Sequence, residues 1–374
     1  MQSAFYRTVL PRLGLALCLA AAVVFFVSPG GNAASPVVEL TAGKVSLQSA
    51  GPLAFGPDGI LFVADSIGAS VVAIDTGDRT RAGAPKLEVI GINEKIASLL
   101  GTAADQVMIN DMEVNPISKN VYLSVSRGRG PDATPMILRV DAAGKISELS
   151  LNNIRHASAT LADAPVATAD PRRNPRLQTV TDLNFVDGKI MIAGLSNEEW
   201  ASALRSIPYP FDKMDKSANV QIWHASHGRF ETQAPVRTFI PYTIQGQSYI
   251  LAAYTCTPLV KIATSELKPG SKVNGVTIAD LGTGNQPLDM VPYTKGGHNY
   301  ILIANSSRGT MKLQADNLEN YKEITSPTTM DVGGVPFEPL PDLKGVVHAT
   351  KLDESNAVIL TSGASQDLRA IPLP

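Results

Sequence analysis

The sequence predicts an all-β fold, a β-propeller of six blades with short helices in its connections. Three observations predict it. The stretch Gly51–Asp75, GPLAFGPDGILFVADSIGASVVAID, reads as three short strands joined by tight turns. Two later stretches repeat each other without a gap at a spacing of 51 residues. Short apolar runs bounded by Gly, Pro, Asn and Asp recur along the chain (ILFVA, YILAA, YILIA, AVILT). A three-stranded meander cannot bury both of its faces alone, but copies stacked around an axis can. Near-continuous apolar strands are what a sheet covered on both faces requires.

Within Gly51–Asp75 the strands are Pro52–Phe55, Ile60–Asp65 and Ser70–Asp75. Pro57 sets φ in the first turn and Gly59 supplies the positive φ of a tight reversal. Blade one spans Pro52 to Ile90. Ahead of it, Val37–Leu40 and Lys44–Leu47 are β-prone and are expected to complete the last blade. Asn93–Ala104 has the composition of a short connecting helix. Blade two comprises Asp111–Val114, Asn120–Ser126, Met136–Asp141 and Ile146–Leu149, with Arg127–Pro135 as a long loop. The stretch 152–176 carries Pro165, Pro171 and Pro175, shows no alternation, and is expected to be a surface excursion. Blade three opens at Asp182–Phe185 and continues with Lys189–Ala193. Asn197–Ile207 reads as helical, and Val220–His224 as a later strand. Blade six comprises His348–Thr350, Ala357–Thr361 and Gln366–Ile371, preceded by a loop over Thr325–Lys344. Seven blades would follow if Val37–Leu47 or Arg155–Pro175 concealed further strands.

Blades four and five carry the repeat. TFIPYTIQGQSYILAAYTCTPLVKI from Thr238 aligns with DMVPYTKGGHNYILIANSSRGTMKL from Asp289. Pro241-Tyr242-Thr243 matches Pro292-Tyr293-Thr294, and Tyr249-Ile250-Leu251 matches Tyr300-Ile301-Leu302. A repeat of this length is one supersecondary unit of a closed array.

Residues 1–33 read as a signal peptide, leaving 34–374 as a single propeller domain. Arg7 and Arg12 form a positive n-region, Leu13–Val27 is apolar, and Gly31-Asn32-Ala33 places small residues at the cleavage site. The expected location is the periplasm or outside the cell. Loss of the leader leaves 30 basic against 34 acidic side chains. With no basic patch, nucleic acid and anionic membrane are excluded as expected partners. Of the two cysteines, Cys18 falls in the leader, so the mature chain keeps only Cys256 and no internal disulfide.

The first strands of propeller blades line the central channel. In register with the second strands, Pro52, Asp111, Asp182, Thr238, Asp289 and His348 come together at one mouth. Asp111, Asp182 and Asp289 are the expected ligands of a divalent cation, Ca²⁺ or similar, and His348 the expected general base. Against this stands the plainer role of acids at strand starts, which accept hydrogen bonds from neighbouring backbone. The second strands end at Asp65, Ser126, Gly194, Tyr254, Asn305 and Ser362. Tyr254, Asn305 and the nearby Cys256 are further binding candidates. A lone thiol can be a soft-metal ligand, a nucleophile or an inert core group. His224-Ala225-Ser226-His227 has a spacing that two metal ligands can use, but its place in a turn points to surface histidines. There is no Gly-x-Ser-x-Gly elbow, phosphate-binding loop, Cys-x-x-Cys-His or His-Glu-x-x-His.

The residues Gly51-Pro52, Pro57-Asp58-Gly59 and Ile60–Ser66 make this blade resemble the NHL-repeat propellers and their gluconolactonase-like (SMP-30) relatives. That resemblance implies a six-bladed fold and a divalent cation held by acidic and amide side chains at the channel mouth. Two functions follow as expectations: a propeller that binds a small molecule or a periplasmic protein at one face, or a metal-dependent hydrolase of the lactonase kind. A quinone-dependent dehydrogenase is a third, without a motif of its own.

Overall fold

Six inner strands, Leu53–Phe55, Val107–Val114, Asp182–Val186, Val236–Ile244, Pro287–Lys295 and Val346–Lys351, contact one another in a closed cycle. Each begins an antiparallel meander running outward, which defines a β-propeller. This computed structural model describes residues 39–81, 87–170, 173–328 and 332–374. The signal-peptide segment, Val37 and Val38 lie outside those residues. The described residues form one compact unit.

The core explains the closure. The described residues carry six hydrophobic clusters, each between two neighbouring meanders. Alternate residues of one second strand serve opposite neighbours. Phe62 and Ala64 pack with Leu183 and Ile192 of the third meander, while Leu61 and Val63 pack with Tyr122 and Ile137 of the second. Burying such side chains stabilises by roughly 1.5–3 kcal/mol each. Removing a neighbour would expose one whole face of a sheet.

The order around the ring is not the order in the chain. The second meander sits between the first and the last, and the third packs on the first. The chain reaches this order by lending edge strands. Glu88–Val89, expected inside blade one, instead pairs with Leu368–Pro372 and closes the last sheet. It brings buried Leu87 and Val89 into the cluster between the last and second meanders. Ile154–Thr160, inside the expected excursion, returns to pair with Ser70–Asp75 as the first sheet's outer strand. Thr41–Gly43 then pairs with Ile154–Thr160, so the N-terminal segment completes the first sheet and not the last. Leu87, Val89, Ala157 and Ala159 bury while Glu88, Ile90, Ser158 and Thr160 stay exposed, an alternation too short or too small-sided to stand out in sequence.

Two further expectations are corrected. Asn197–Ile207 is not helical: Ser202–Pro208 pairs with Lys189–Leu195 as the third strand of its meander. Helix-tolerant residues (Ala201, Ala203, Leu204, Arg205) yield to that pairing, which buries Ala203, Leu204 and Ile207. Within the Thr325–Lys344 loop, Phe337–Leu340 pairs with Thr310–Gln314 as an outer strand.

The expected connecting helix is present over Ile92–Leu100, the only α-helix among the described residues. Left-handed glycines, Gly91 (φ 65°) and Gly101 (φ 63°), flank it. Its Ile92 and Ile96 enter the core, and Asn93 exchanges hydrogen bonds with Ala364 and Gln366 of the last meander. Gly59 is left-handed as expected (φ 72°), joined by Asp58 (φ 56°). The repeat is realised element by element. Val236–Ile244 and Gln247–Tyr254 recur as Pro287–Lys295 and His298–Asn305, 51 residues later.

One buried ion pair fastens the third meander. Arg205, 1% exposed, donates to Asp163 Oδ1 at 2.7 Å and to the carbonyls of Thr179 and Leu195. Removing one partner of such a pair leaves an uncompensated buried charge, at about 3–5 kcal/mol. Arg205→Met should lose stability of that order in urea unfolding, and a loss below about 1 kcal/mol would show that the pair contributes little.

Candidate functional site at the channel mouth

A β-bulge places the channel residues. In four inner strands the register shifts by one residue, at Ile109/Asp111, Val236/Thr238, Pro287/Asp289 and Val346/His348. The residue after each shift is one of the expected channel residues. In the first and third meanders two successive residues face one partner in the same way: Gly51 and Pro52 both bond Ala64, and Thr181 and Asp182 both oppose Ala193. A bulge re-aims the side chain that follows it. Here it brings Asp111, Asp182, Thr238 and Asp289 to line one cavity at the channel mouth.

The three aspartates alternate with Pro52, Thr238 and His348 around the ring, and each reaches to the next meander. Asp111 Oδ2 accepts from the Leu53 N–H at 2.6 Å. Asp182 Oδ2 accepts from the Phe239 N–H at 2.8 Å, and Asp289 Oδ2 from the Ala349 N–H at 2.8 Å. The plainer role expected of strand-start acids is therefore real: each aspartate ties two neighbouring sheets together. It is not their whole character. His348 Nδ1 lies 3.1 Å from Asp289 and 3.5 Å from Asp111. One ligand atom from each of Asp111, Asp289 and His348 lies within 4.8 Å of the others, a grouping able to hold a cation. Asp182 does not join that group. It lines the same cavity of about 230 Å³ with Asp111, Asp289, Thr238, Glu113 and Thr350.

Burial decides the charge state. It pushes the Asp111 carboxyl up, with help from Asp289 and against His348, to about 7. Burial next to Asp111 pushes Glu113 up to about 8, despite a 3.0 Å hydrogen bond from Thr350. Asp182 is raised well above the usual carboxylate range by burial, although the Phe239 N–H pulls it down. Burial opposes charge on His348, but Asp289 and Asp111 outweigh it and raise the imidazole to about 8. The His348 ring also hydrogen-bonds the Ile109 backbone. An imidazole held in this way is an ion-pair partner first.

Glu113 and Arg237 are members of the site that the sequence reading missed. Glu113 lies two residues beyond Asp111 and so on the same strand face. Arg237 is the bulge residue before Thr238, with its guanidinium lowered by burial and supported by Asp182.

The other candidates lie elsewhere. Tyr254 is fully buried between the third and fourth meanders. Asn305 is buried and bonds Asn285, Ile303 and Gly309. Asp65 accepts from Gln48, Ser49 and Gly68. These are strand-end fastenings. Cys256 lies in the turn after Gln247–Tyr254, in a left-handed conformation (φ 61°). His224 is not at the surface as expected: it ends a strand at 2% exposure, with His227 and Cys256 beside it.

No family model matches the chain, and no curated protein does. Among solved structures, a glucose dehydrogenase is 12% identical over 89% of this chain and 100% of its own, with a TM-score of 0.36. A streptogramin B lyase is 10% identical over 89% and 97%, with a TM-score of 0.37. The soluble aldose sugar dehydrogenase of Escherichia coli is 12% identical over 89% and 100%, with a TM-score of 0.31. Overlap this loose leaves both fold and chemistry to be read from the chain's own strands and side chains. No helix of the described residues is long and apolar enough to cross a membrane.

The raised groups make stability fall with pH. Between the ordinary carboxylate range and about 7–8, the folded protein holds protons on Asp111 and Glu113 that the unfolded chain has released. Between about 6.5 and 8, folded His348 likewise keeps a proton that the unfolded chain loses. The state with more bound protons gains as pH drops, so metal-free protein should melt at lower temperature at pH 8 than at pH 5.5. Glu113→Gln should flatten that slope and stabilise at pH 8 by on the order of 1–2 kcal/mol. Calorimetric melting across this range checks both, and a slope unchanged in Glu113→Gln would contradict them.

Proposed function

We propose that this chain is a propeller whose channel mouth binds a small ligand through a cation held by Asp111, Asp289 and His348. The observation that carries this is the excess of half-buried acid at one place. Asp111, Glu113, Asp182 and Asp289 line one cavity of about 230 Å³. In that cavity Asp111, Glu113 and Asp182 are held above the ordinary carboxylate range, chiefly by burial. Acids in this state take up either protons or a cation. The donor set fits a divalent ion: carboxylate oxygens suit Ca²⁺, and one imidazole among them admits Mn²⁺ or Zn²⁺. A cavity of that volume has room for a cation with a small polar ligand. The resemblance of Gly51–Ser66 to NHL-repeat and gluconolactonase-like propellers supports a ligand at this mouth, and the leader-like N-terminus supports action in the periplasm.

The second reading is a hydrolase of the lactonase kind, favoured by the Asp111–Asp289–His348 grouping. A bound cation would supply Lewis acidity there. In that case Asp289 orients the His348 imidazole, and Asp182 and Glu113 hold protons beside the bound substrate.

Chelator-treated mature protein should bind one Ca²⁺ or Mn²⁺ ion by calorimetry, with affinity falling as pH drops below about 7–8, where protons compete. Asp111→Asn and Asp289→Asn should each weaken it tenfold or more. Absence of binding for both Ca²⁺ and Mn²⁺, or binding of either ion that neither variant alters, would refute the proposal. Lactone or ester turnover lost in Asp289→Asn would select the hydrolase reading.

A further inference from the structure

We propose that His224, His227 and Cys256 form a second, separate site for a borderline-to-soft transition-metal ion, zinc or copper, with Glu231 as its positioning residue. The site lies between the third and fourth meanders. His224 ends the strand Ala218–His224, His227 occupies the following turn, and Glu231 stands on the short return strand Arg229–Glu231. Cys256 comes from the turn after the strand Gln247–Tyr254.

The geometry is that of a prepared ligand set. Glu231 Oε2 lies 2.6 Å from His224 Nδ1, and Oε1 lies 2.7 Å from His227 Nδ1. A carboxylate only accepts, so each Nδ1 carries the proton and each neutral ring keeps its lone pair on Nε2. The two rings lie side by side, centroids 3.8 Å apart and planes 30° apart. Anchored by Nδ1 to one carboxylate, they present both Nε2 atoms away from it. One ligand atom from each histidine and the Cys256 sulfur lie within 4.8 Å of one another.

Two observations set this apart from a lone thiol beside histidines. His224 is 2% exposed, and its Nε2 is buried without a hydrogen-bond partner. A buried lone pair left unmatched is costly, and a metal ion would match it. The backbone also holds an unfavoured shape at the cysteine. Cys256 (φ 61°) and β-branched Thr257 (φ 52°) are both left-handed. The Cys256 N–H donates to Asn285 O at 2.7 Å and Thr257 Oγ1 to Gly282 O at 2.8 Å, which fixes that turn. Strain of this kind gathers where a side chain has to be aimed. The sister repeat supplies a control: 51 residues later the equivalent of Cys256 is Ser307, which bonds Gly284 and Asn285. The thiol is thus not something the repeated unit needs.

Two imidazoles and a thiolate select zinc or copper over Ca²⁺ and Mg²⁺. Three protein ligands leave a fourth position for water or a small ligand.

The test uses the mature chain without a histidine tag, chelator-treated, with its single thiol confirmed as reduced. Co²⁺ is the probe. The expected result is a thiolate-to-cobalt charge-transfer band that saturates at one equivalent and is displaced by Zn²⁺. The band is read on the unmutated chain, so no folding failure can imitate its absence. Cys256→Ser should abolish it, and Glu231→Gln should weaken Zn²⁺ binding by about 10- to 100-fold. Asp111→Asn should leave the band unchanged, which separates this site from the channel. An intense visible band with Cu²⁺, at higher affinity than Zn²⁺, would assign the site to copper. No charge-transfer band with a confirmed free thiol, or Zn²⁺ affinity unchanged in Cys256→Ser, would overturn the proposal.

Discussion

The hydrogen bond from a backbone N–H of one sheet to the aspartate of the next is the constraint on which the channel mouth depends. It occurs three times, from Leu53 to Asp111, from Phe239 to Asp182 and from Ala349 to Asp289. Each donor directly follows a channel residue (Pro52, Thr238 or His348) that the bulge of its strand has placed, so the bulge and the bond are one device. The bulge turns the carboxyl to the axis, and the neighbouring strand supplies the donor that holds it there. The bond favours the ionised form, while burial opposes it. At Asp111 and Asp182 burial prevails. The closed ring thus gathers acids where they cannot all ionise together, which makes the mouth receptive to a cation.

The packing around the ring holds the six inner strands in place. Each interface is a separate apolar cluster fed by alternate residues of two sheets. The chain interlocks the ring by lending Glu88–Val89 to the last sheet and Ile154–Thr160 to the first. No single cut between sequence-adjacent meanders would free one sheet of its neighbours. The proposed transition-metal site occupies such an interface too, with histidines from one meander and the cysteine from the next.

Much of the fold was legible because strong local signals agreed with the tertiary pattern. Pro57, Gly59 and the runs ILFVA and YILAA mark strands and turns whatever surrounds them, and the 51-residue repeat carried even the bulge positions. Counting in register from the second strands placed Asp111, Asp182, Asp289 and His348 at one mouth without any motif. What escaped detection depends on partners distant in sequence. Ala157 and Ala159 are too small to announce a strand, and Glu88–Val89 is too short. Ser202–Pro208 is a strand only because Lys189–Leu195 lies beside it. His224 looked like a turn histidine because nothing local reveals that Glu231 and Cys256 close over it.

Carbon-13 NMR of the side-chain carboxyls tests the central claim most directly. In metal-free protein, two or more of the channel-mouth acids should remain protonated at pH 6, where ordinary carboxyls are ionised. Their signals should disappear from that set in Asp111→Asn and Glu113→Gln, and should shift to the ionised form when a divalent cation is added. Carboxyls that all titrate below pH 5, unchanged in both variants, would contradict the account.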